Sequence, residues 1–380
     1  MKEIRMVDLA TQYQHIKQEV DTAIQEVIDS TAFINGPAVK RFKENLEKHL
    51  QVKHVIPCAN GTDALQLAMM ALDLQPGDEV ITATFTYVAT AEVIALLKLT
   101  PVLVDVEEDS FLIDPEKIEK AITPRTRAIV PVHLFGQCAD MEKIMDIARR
   151  HNLYVIEDTA QAINAEYRFS DGRKLKAGTI GHIGCTSFFP SKNLGCYGDG
   201  GALFTNDDRL AEKLRMIANH GQSVQYYHDI IGVNSRLDTI QAAILDVKLR
   251  RLDDYTRARQ KAAAYYDRAF ADHPLVKMPY RVSNSTHVFH QYTLTLHPKV
   301  DRDGLKKYLA EQHIPAMIYY PVPLHQQKAY RSDRYRDGDF PVAERLCKSV
   351  ISLPMHTELT PEQQDYIITH VINFLNQYNP

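Results

Sequence analysis

The chain has 380 residues, which suffices for about two domains and for a large core without metal or disulfide support. Its 44 Lys and Arg residues face 48 Asp and Glu residues, so the formal net charge of −4 argues against nucleic acid or an anionic membrane as a partner. The five cysteines lack CxxC spacing, and no apolar run could cross a bilayer or serve as a signal core. The sequence therefore predicts a reduced, cytoplasmic protein without a metal site.

Apolar spacing predicts the elements of the first 240 residues. Helical patterns occur at residues 12–30 and 38–50, separated by a break at 33–37. Strand-like runs then follow at 79–84, 102–106, 128–133, 154–157, 185–189 and 202–205. Further helical patterns lie between the early strands, at 63–74, 88–97, 115–122 and 141–150. This alternation predicts an α/β fold with a mostly parallel sheet, in which ligands bind beyond the carboxyl ends of the strands.

The pattern changes near residue 240, where one long helix is predicted over about 240–265. We expect its basic residues to be solvated surface; they are Lys248, Arg250, Arg251, Arg257 and Arg259. The remainder has a strand at 288–296, a helix at 303–312, a strand at 317–320 and a helix at 361–378. The sequence thus predicts a large domain over residues 1–240 and a smaller α+β domain over residues 241–380.

The first candidate functional residue is Lys192, which follows the predicted strand at 185–189 within the sequence TSFFPSKNLG. A lysine partly removed from water loses some preference for its charged form, so its amine can act as a nucleophile. That chemistry suits Schiff-base formation with an aldehyde. The alternative is a solvated loop lysine beside a turn.

Two carboxylates, Glu157 and Asp158, end another predicted strand. A carboxylate at this place can pair with a protonated pyridine nitrogen, and Gln161 is near enough to donate a hydrogen bond to a ring oxygen. The alternative is that the Asp only caps a helix.

A tight turn at Asn60-Gly61 precedes the predicted helix at 63–74, and the free N–H groups of a helix start can bind phosphate. The alternative here is a plain turn with a capped helix. Tyr87 follows another strand end, where it could stack on a ring or simply pack at the rim.

These candidate residues could all bind the same ligand. It would offer an aldehyde to Lys192, a pyridine nitrogen to Asp158, and a phosphate to Gly61, Thr62 and Ser187. Pyridoxal 5′-phosphate (PLP) has all three groups, so the sequence predicts PLP as cofactor.

At this point the chain resembles the DegT/StrS nucleotide-sugar aminotransferases. Six motifs in the same order carry the resemblance: Asn60–Leu65, Glu157–Gln161, Ser187–Lys192, Gly198–Gly201, Gly232–Asp238 and Tyr319–His325. Longer runs, at 58–66, 85–92, 135–140, 187–207 and 232–245, resemble most the enzymes that aminate UDP-2-acetamido-2-deoxy-3-oxo-glucuronate.

The resemblance implies the fold type I architecture of PLP enzymes and a homodimer with shared active sites. Lys192 would bind the cofactor covalently and carry protons, Asp158 would contact the pyridine nitrogen and Gln161 the ring hydroxyl. Gly61, Thr62 and Ser187 would hold the phosphate, joined by Asn234 from the partner subunit. Arg236 would touch the sugar or its diphosphate in the neighbouring site, or else form an interface salt bridge. Tyr319, Tyr320 and His325 are expected near the nucleotide sugar, with core or loop packing as the alternative.

The implied reaction is a two-step transamination with glutamate as amino donor and a UDP-2-acetamido-3-oxo sugar or uronate as acceptor. The amino sugar formed would enter a surface polysaccharide or glycoconjugate. Two alternatives stay open. One is an aminotransferase for a 4-keto-6-deoxy nucleotide sugar, and the other is a non-catalytic protein of the same fold that acts as a sensor or scaffold.

Overall fold

The computed structural model describes residues 2–378. The elements up to residue 249 are α1 (Leu9–Ser30), α2 (Pro37–Leu50), β1 (His54–Cys58), α3 (Gly61–Ala71), β2 (Glu79–Ala83), α4 (Ala89–Leu96), β3 (Thr100–Val104), α5 (Pro115–Ala121), β4 (Thr126–Val130), α6 (Met141–His151), β5 (Tyr154–Asp158), β6 (Glu166–Arg168), β7 (Lys174–Lys176), β8 (Ile183–Ser187), β9 (Gly201–Thr205), α7 (Asp208–Ala218), β10 (Gln222–Val224), β11 (Tyr227–His228) and α8 (Thr239–Leu249). The remaining elements are α9 (Leu252–Phe270), β12 (Val276–Lys277), β13 (Tyr292–Leu296), α10 (Arg302–Glu311), α11 (Pro341–Ser349), β14 (Val350–Leu353) and α12 (Pro361–Leu375).

The central sheet has seven strands in the order β1-β9-β8-β5-β4-β2-β3. The pairs β2–β3, β2–β4, β4–β5 and β5–β8 are parallel. Strand β9 is antiparallel to both β8 and β1, so six of the seven strands run in one direction. The predicted mostly parallel α/β sheet is confirmed. Residues that follow β1, β2, β5 and β8 therefore meet at one edge of the sheet.

Helices cover both faces of this sheet. Val155 and Ile156 are consecutive in β5 and both are fully buried, as expected for a strand with apolar neighbours on each side. Val155 packs in a cluster with Ile144 of α6, whereas Ile156 packs in another cluster with Leu67 of α3. The strand ends, rather than the sheet faces, are thus left to hold a ligand.

A second core forms in the C-terminal part, around the antiparallel sheet β12-β13-β14. Helices α9, α10 and α12 bury apolar side chains there, among them Tyr266, Leu305 and Ile367. This agrees with the predicted smaller α+β unit, while its boundary at residue 240 stays a prediction. No helix within residues 2–378 is long and apolar enough to span a membrane.

Several details differ from the predicted elements. The segment expected to form one helix over 240–265 is two helices, α8 and α9, because the amide of Arg251 bonds back to the carbonyl of Lys248 and ends the first one. The expected strand at 317–320 contributes only a bridge from Met317 to Ser352. Strand β1, at the sheet edge, was not predicted.

The basic residues after position 240 were expected to be solvated, and this is wrong for two of them. Lys248 is 1% exposed and Arg259 is 3% exposed. Each finds backbone carbonyls as partners inside the protein. Arg259 donates to the carbonyls of Phe289 and Met355 at 3.0 Å, and the role of Lys248 is described with the site below.

Candidate active site

A cavity of about 830 Å³ lies at the strand ends. It contains nine of the twelve predicted site residues: Gly61, Thr62, Tyr87, Asp158, Gln161, Ser187, Lys192, Tyr319 and Tyr320. Residues from the C-terminal part, His290 and Gln291, complete its wall. The volume falls within the range of small-molecule sites, which is about 300–1,000 Å³.

Lys192 stands on a tight loop directly after β8. The loop is closed by a hydrogen bond from the amide of Lys192 to the carbonyl of Phe189, at 2.8 Å. Gly195 makes this turn possible, because a Cβ there would lie 2.4 Å from the carbonyl oxygen of Pro190. The glycine three residues after the lysine is therefore required by the backbone geometry.

Two buried side chains connect the same loop to the surrounding protein. Asn193 donates through Nδ2 to the carbonyl of Val288, at 2.9 Å. The Nζ of Lys248 on α8 donates to the carbonyl of Gly195, at 2.6 Å. Both bonds hold the backbone that directly follows Lys192. The sequence pattern did not reveal that Lys248 supports the loop.

Desolvation lowers the pKa of the Lys192 amine to about 8, although the negative charge of Asp158 partly opposes this effect. An amine with such a pKa is uncharged in part near neutral pH. Lys192 is thus a suitable nucleophile and proton carrier.

The two adjacent carboxylates of β5 have different roles. Glu157 is fully buried and faces away from the cavity. Its oxygens accept hydrogen bonds from the amides of Gly178, Ile180 and Gly181 and from Nε2 of His133. Glu157 therefore ties a loop to the sheet.

Asp158 is the carboxylate that faces the cavity. Its Oδ1 accepts the amide of Ala160 at 3.1 Å, and its Oδ2 accepts the hydroxyl of Thr90 at 3.0 Å. Burial raises the pKa of the Asp158 carboxyl, while these hydrogen bonds and the charge of Lys192 counteract the rise. A charged Asp158 can pair with a protonated pyridine nitrogen.

Gln161 is held in a fixed orientation by two partners. Its Oε1 accepts the amide of Phe135 at 2.7 Å, and its Nε2 donates to the hydroxyl of Tyr320 at 3.1 Å. The ring of Tyr320 lies 6.3 Å from that of Tyr87, which is 57% exposed at the opening. The amide of Gln161 thus points its donor into the cavity.

The phosphate is predicted to bind at the start of α3. Asn60 caps this helix by accepting the amide of Asp63 at 2.8 Å, which leaves the amides of the first turn directed outward. A Cβ at Gly61 would lie 2.7 Å from the Cβ of Ser187, so the helix start and the end of β8 are in close contact. Helix amides and a serine hydroxyl converge there, as a phosphate requires.

The residues present fit PLP. An amine, a carboxylate and an amide line one cavity with a helix start, and these match the aldehyde, pyridine nitrogen, ring hydroxyl and phosphate of the cofactor. The sheet topology and this site define a PLP-dependent enzyme of fold type I.

Three predicted site residues lie outside the cavity lining. His325 is 5% exposed and its two ring nitrogens bond to Thr84 and Glu344, so its contacts agree with the loop-packing alternative. Asn234 forms an isolated bridge with Asn219. The guanidinium of Arg236 lies 3.4 Å from the side-chain oxygen of that same Asn219. The expected action of Asn234 and Arg236 in a neighbouring site stays a prediction.

Sequence reasoning missed several residues that contact the site. Thr90 bonds Asp158, yet a threonine inside a helical pattern carries no signal of that contact. His290 lines the cavity and its buried Nδ1 has no hydrogen-bond partner within the described residues. Desolvation lowers its pKa well below the usual range, aided by the charges of Lys192 and Arg259. A neutral imidazole therefore faces the lysine.

A family model described as the DegT/DnrJ/EryC1/StrS aminotransferase family matches residues 14–372, so the chain belongs to this family. The chain is 47% identical to the pleiotropic regulatory protein of Geobacillus stearothermophilus, over 99% of both chains. It is 45% identical to UDP-2-acetamido-2-deoxy-3-oxo-D-glucuronate aminotransferase of Pseudomonas aeruginosa, over 94% of this chain and 96% of the relative. It is 39% identical to dTDP-3-amino-3,4,6-trideoxy-alpha-D-glucose transaminase of Streptomyces venezuelae, over 97% and 95%.

Solved structures lead to the same family. A DegT DnrJ EryC1 StrS aminotransferase from Brucella abortus superposes with a TM-score of 0.92 at 42% identity, covering 98% of this chain and 99% of the other. The chain is therefore an aminotransferase of the DegT/DnrJ/EryC1/StrS family, and its cofactor is PLP. Fold class, family and cofactor are confirmed as the sequence predicted them.

Proposed function

We propose that the chain transfers the amino group of glutamate to a nucleotide-linked keto-sugar, with a UDP-2-acetamido-3-oxo sugar or uronate as the preferred acceptor. The observation that carries the proposal is the cavity that gathers Lys192, Asp158 and the start of α3. The names of two relatives support this acceptor, because each name describes a sugar with an oxo or amino group at C3. One of these names includes UDP and the other dTDP.

When bound, PLP supplies an electron sink for the negative charge that develops beside the transferred nitrogen. Lys192 would hold the cofactor through its amine, and as a free amine it would take a proton from the donor α-carbon and later return one to the sugar carbon. Asp158 would keep the pyridine nitrogen protonated by its negative charge, and Gln161 would donate a hydrogen bond to the ring oxygen. In the net reaction glutamate and the keto-sugar would give 2-oxoglutarate and the amino sugar, so that an amino group and a carbonyl oxygen exchange places between the two substrates.

We also propose a homodimer with shared active sites. Within residues 2–378, Lys192 is the only Lys or Arg of the cavity lining, whereas Asp63, Asp158 and Asp199 contribute carboxyl groups. Glutamate and a nucleotide diphosphate are anions that require cationic partners. Asn234 and Arg236 of a second copy are proposed to supply the missing donors.

A cytoplasmic location and a role of the product in surface polysaccharide or glycoconjugate synthesis belong to the same proposal. The five cysteines are free thiols and all are buried, which agrees with a reducing compartment.

The acceptor is tested by a half-reaction screen. Enzyme loaded with pyridoxamine phosphate is mixed with 3-keto and 4-keto sugars, each linked to UDP or dTDP, and recovery of the visible absorption of bound PLP is followed. We expect the fastest recovery with the UDP-linked 3-keto sugar, because its acetamido group and nucleotide match the proposal. Lys192→Ala and UDP alone serve as controls. Recovery only with 4-keto-6-deoxy sugars would contradict the proposed acceptor and favour the alternative.

A further inference from the structure

The Asp158 carboxylate depends on one side chain that no sequence motif pointed to. Thr90 Oγ1 donates to Asp158 Oδ2 at 3.0 Å, and the backbone amide of Ala160 donates to Oδ1 at 3.1 Å. Each carboxylate oxygen thus has one protein donor, and each keeps a lone pair for a further partner. Thr90 is the side chain that sets the rotation of this carboxylate.

Thr90 lies in the first turn of α4 and is 1% exposed. A threonine hydroxyl within a helix usually bonds to a backbone carbonyl one turn earlier, but that of Thr90 is directed to Asp158 instead. The contact also brings the amino-terminal end of α4 close to the carboxylate, where the helix dipole favours negative charge. Tyr87, three residues earlier, lines the cavity. The segment from Tyr87 to Thr90 therefore contributes two side chains to the site.

We propose that Thr90 is a positioning residue for transamination, whose hydroxyl holds Asp158 charged and oriented toward the pyridine nitrogen of the cofactor. The inference rests on the aminotransferase chemistry of PLP and does not depend on the proposed sugar or donor. Its tests therefore remain valid if the proposed acceptor is wrong.

The consequence can be followed in the absorption of the bound cofactor. Without the hydroxyl, the Asp158 carboxylate becomes more basic, so the shared proton moves from the pyridine nitrogen toward Asp158. A ring with less positive charge leaves the nitrogen bonded to Lys192 more basic. The pH at which the visible band changes should then rise, by roughly half a unit to one unit. The other titratable groups that act on Asp158 are unchanged by this substitution; they are Lys192, His133, Cys185 and Tyr320.

The test uses the holoenzyme and the variant Thr90→Val, which keeps the shape of the side chain and removes the hydroxyl. We expect the spectral midpoint to shift upward and the rate constant of the amino-donor half-reaction to fall about tenfold, with little change in donor KM. Thr90→Ser retains the hydroxyl and should stay within about twofold of the parent. Thr90→Ala carries the same expectation as Thr90→Val if the valine is poorly accommodated.

Thr82→Val is the matched control. Thr82 is also a fully buried threonine, and its hydroxyl donates to the carbonyl of Val130 at 2.9 Å, without contact to Asp158. The substitution Thr82→Val should lower thermal stability while leaving the spectral midpoint and the rate of the half-reaction unchanged. If the Thr90 variants lacking the hydroxyl titrate and react like the parent, or if Thr82→Val shifts both readouts equally, Thr90 has only a structural role.

Discussion

Lys192 is the residue whose environment makes the clearest prediction. Burial lowers the pKa of its amine from 10.5 to about 8. Because only the uncharged amine attacks an aldehyde, the rate at which the cofactor-free chain captures PLP should rise with pH and level off above about pH 8. Stopped-flow absorbance, recorded across roughly pH 6.5–10, measures this rate and gives the pH midpoint of its rise.

Two variants make that measurement specific. Lys192→Ala shows the background from other amines. Asp158→Asn should move the midpoint lower, because the negative charge of Asp158 favours the charged amine. A midpoint near that of a free lysine would show that the loop does not desolvate Lys192.

For single residues, the sequence predicted correctly that side chains following several strands lie in one cavity. Lys192, Asp158 and Gln161 each follow a strand, and strand ends at one sheet edge meet by topology. Thr90 and His325 could not be assigned in this way, because their partners lie 68 and 241 residues away in the chain. Only tertiary packing decides whether such polar side chains contact the ligand or each other.

Among the elements, α8 makes an unexpected contribution through Lys248. Burial lowers the pKa of this amine from 10.5 to about 8, so above pH 8 the folded chain binds fewer protons there than the unfolded chain. Stability should therefore rise with pH between about 8 and 10.5, by an amount on the order of 3 kcal/mol from this group alone. The thermal midpoint of the parent relative to Lys248→Met should increase over this range.

Lys40→Met is a suitable comparison, since the side chain of Lys40 is 80% exposed on α2. Its thermal midpoint should follow that of the parent at every pH. Lys248→Met should also weaken cofactor retention, because the carbonyl of Gly195 loses its donor beside Lys192. A constant difference between parent and Lys248→Met from pH 8 upward would mean that the buried amine does not titrate there.

Most elements of the sheet were predictable because both of its faces are buried and its strands read as continuous apolar runs. Their predicted limits differ from the observed ones by about two residues. The break between α8 and α9 had no such signal, since neither Gly nor Pro stands at Arg250–Arg251. Strand β1 was hidden by Pro57, a residue that is rare in sheets except at edges such as this one.

For the whole molecule, the cavity shows how distant segments are brought together. Residues near 60, 158 and 190 come from the central sheet, while Gln291, Tyr319 and Tyr320 come from the C-terminal part. The sequence indicated the first group through its motifs and Tyr319 and Tyr320 only through a family resemblance, and it did not indicate Gln291. The proposed contribution of a second copy goes beyond a single chain and is tested by mixing chains.

Lys192→Ala and Arg236→Ala should each be inactive, the first through loss of the amine and the second through loss of the cation proposed to reach the neighbouring cavity. If active sites are shared, a mixed dimer contains one site with neither substitution. Random exchange makes half of the dimers mixed, so an equal mixture should regain about a quarter of the parent activity. Differently tagged chains, copurified after exchange, confirm that mixed dimers have formed. Mixed dimers without activity would show that Arg236 acts within its own chain, and an active Arg236→Ala homodimer would show that Arg236 is not needed; either result would leave the anionic substrate without its proposed partner.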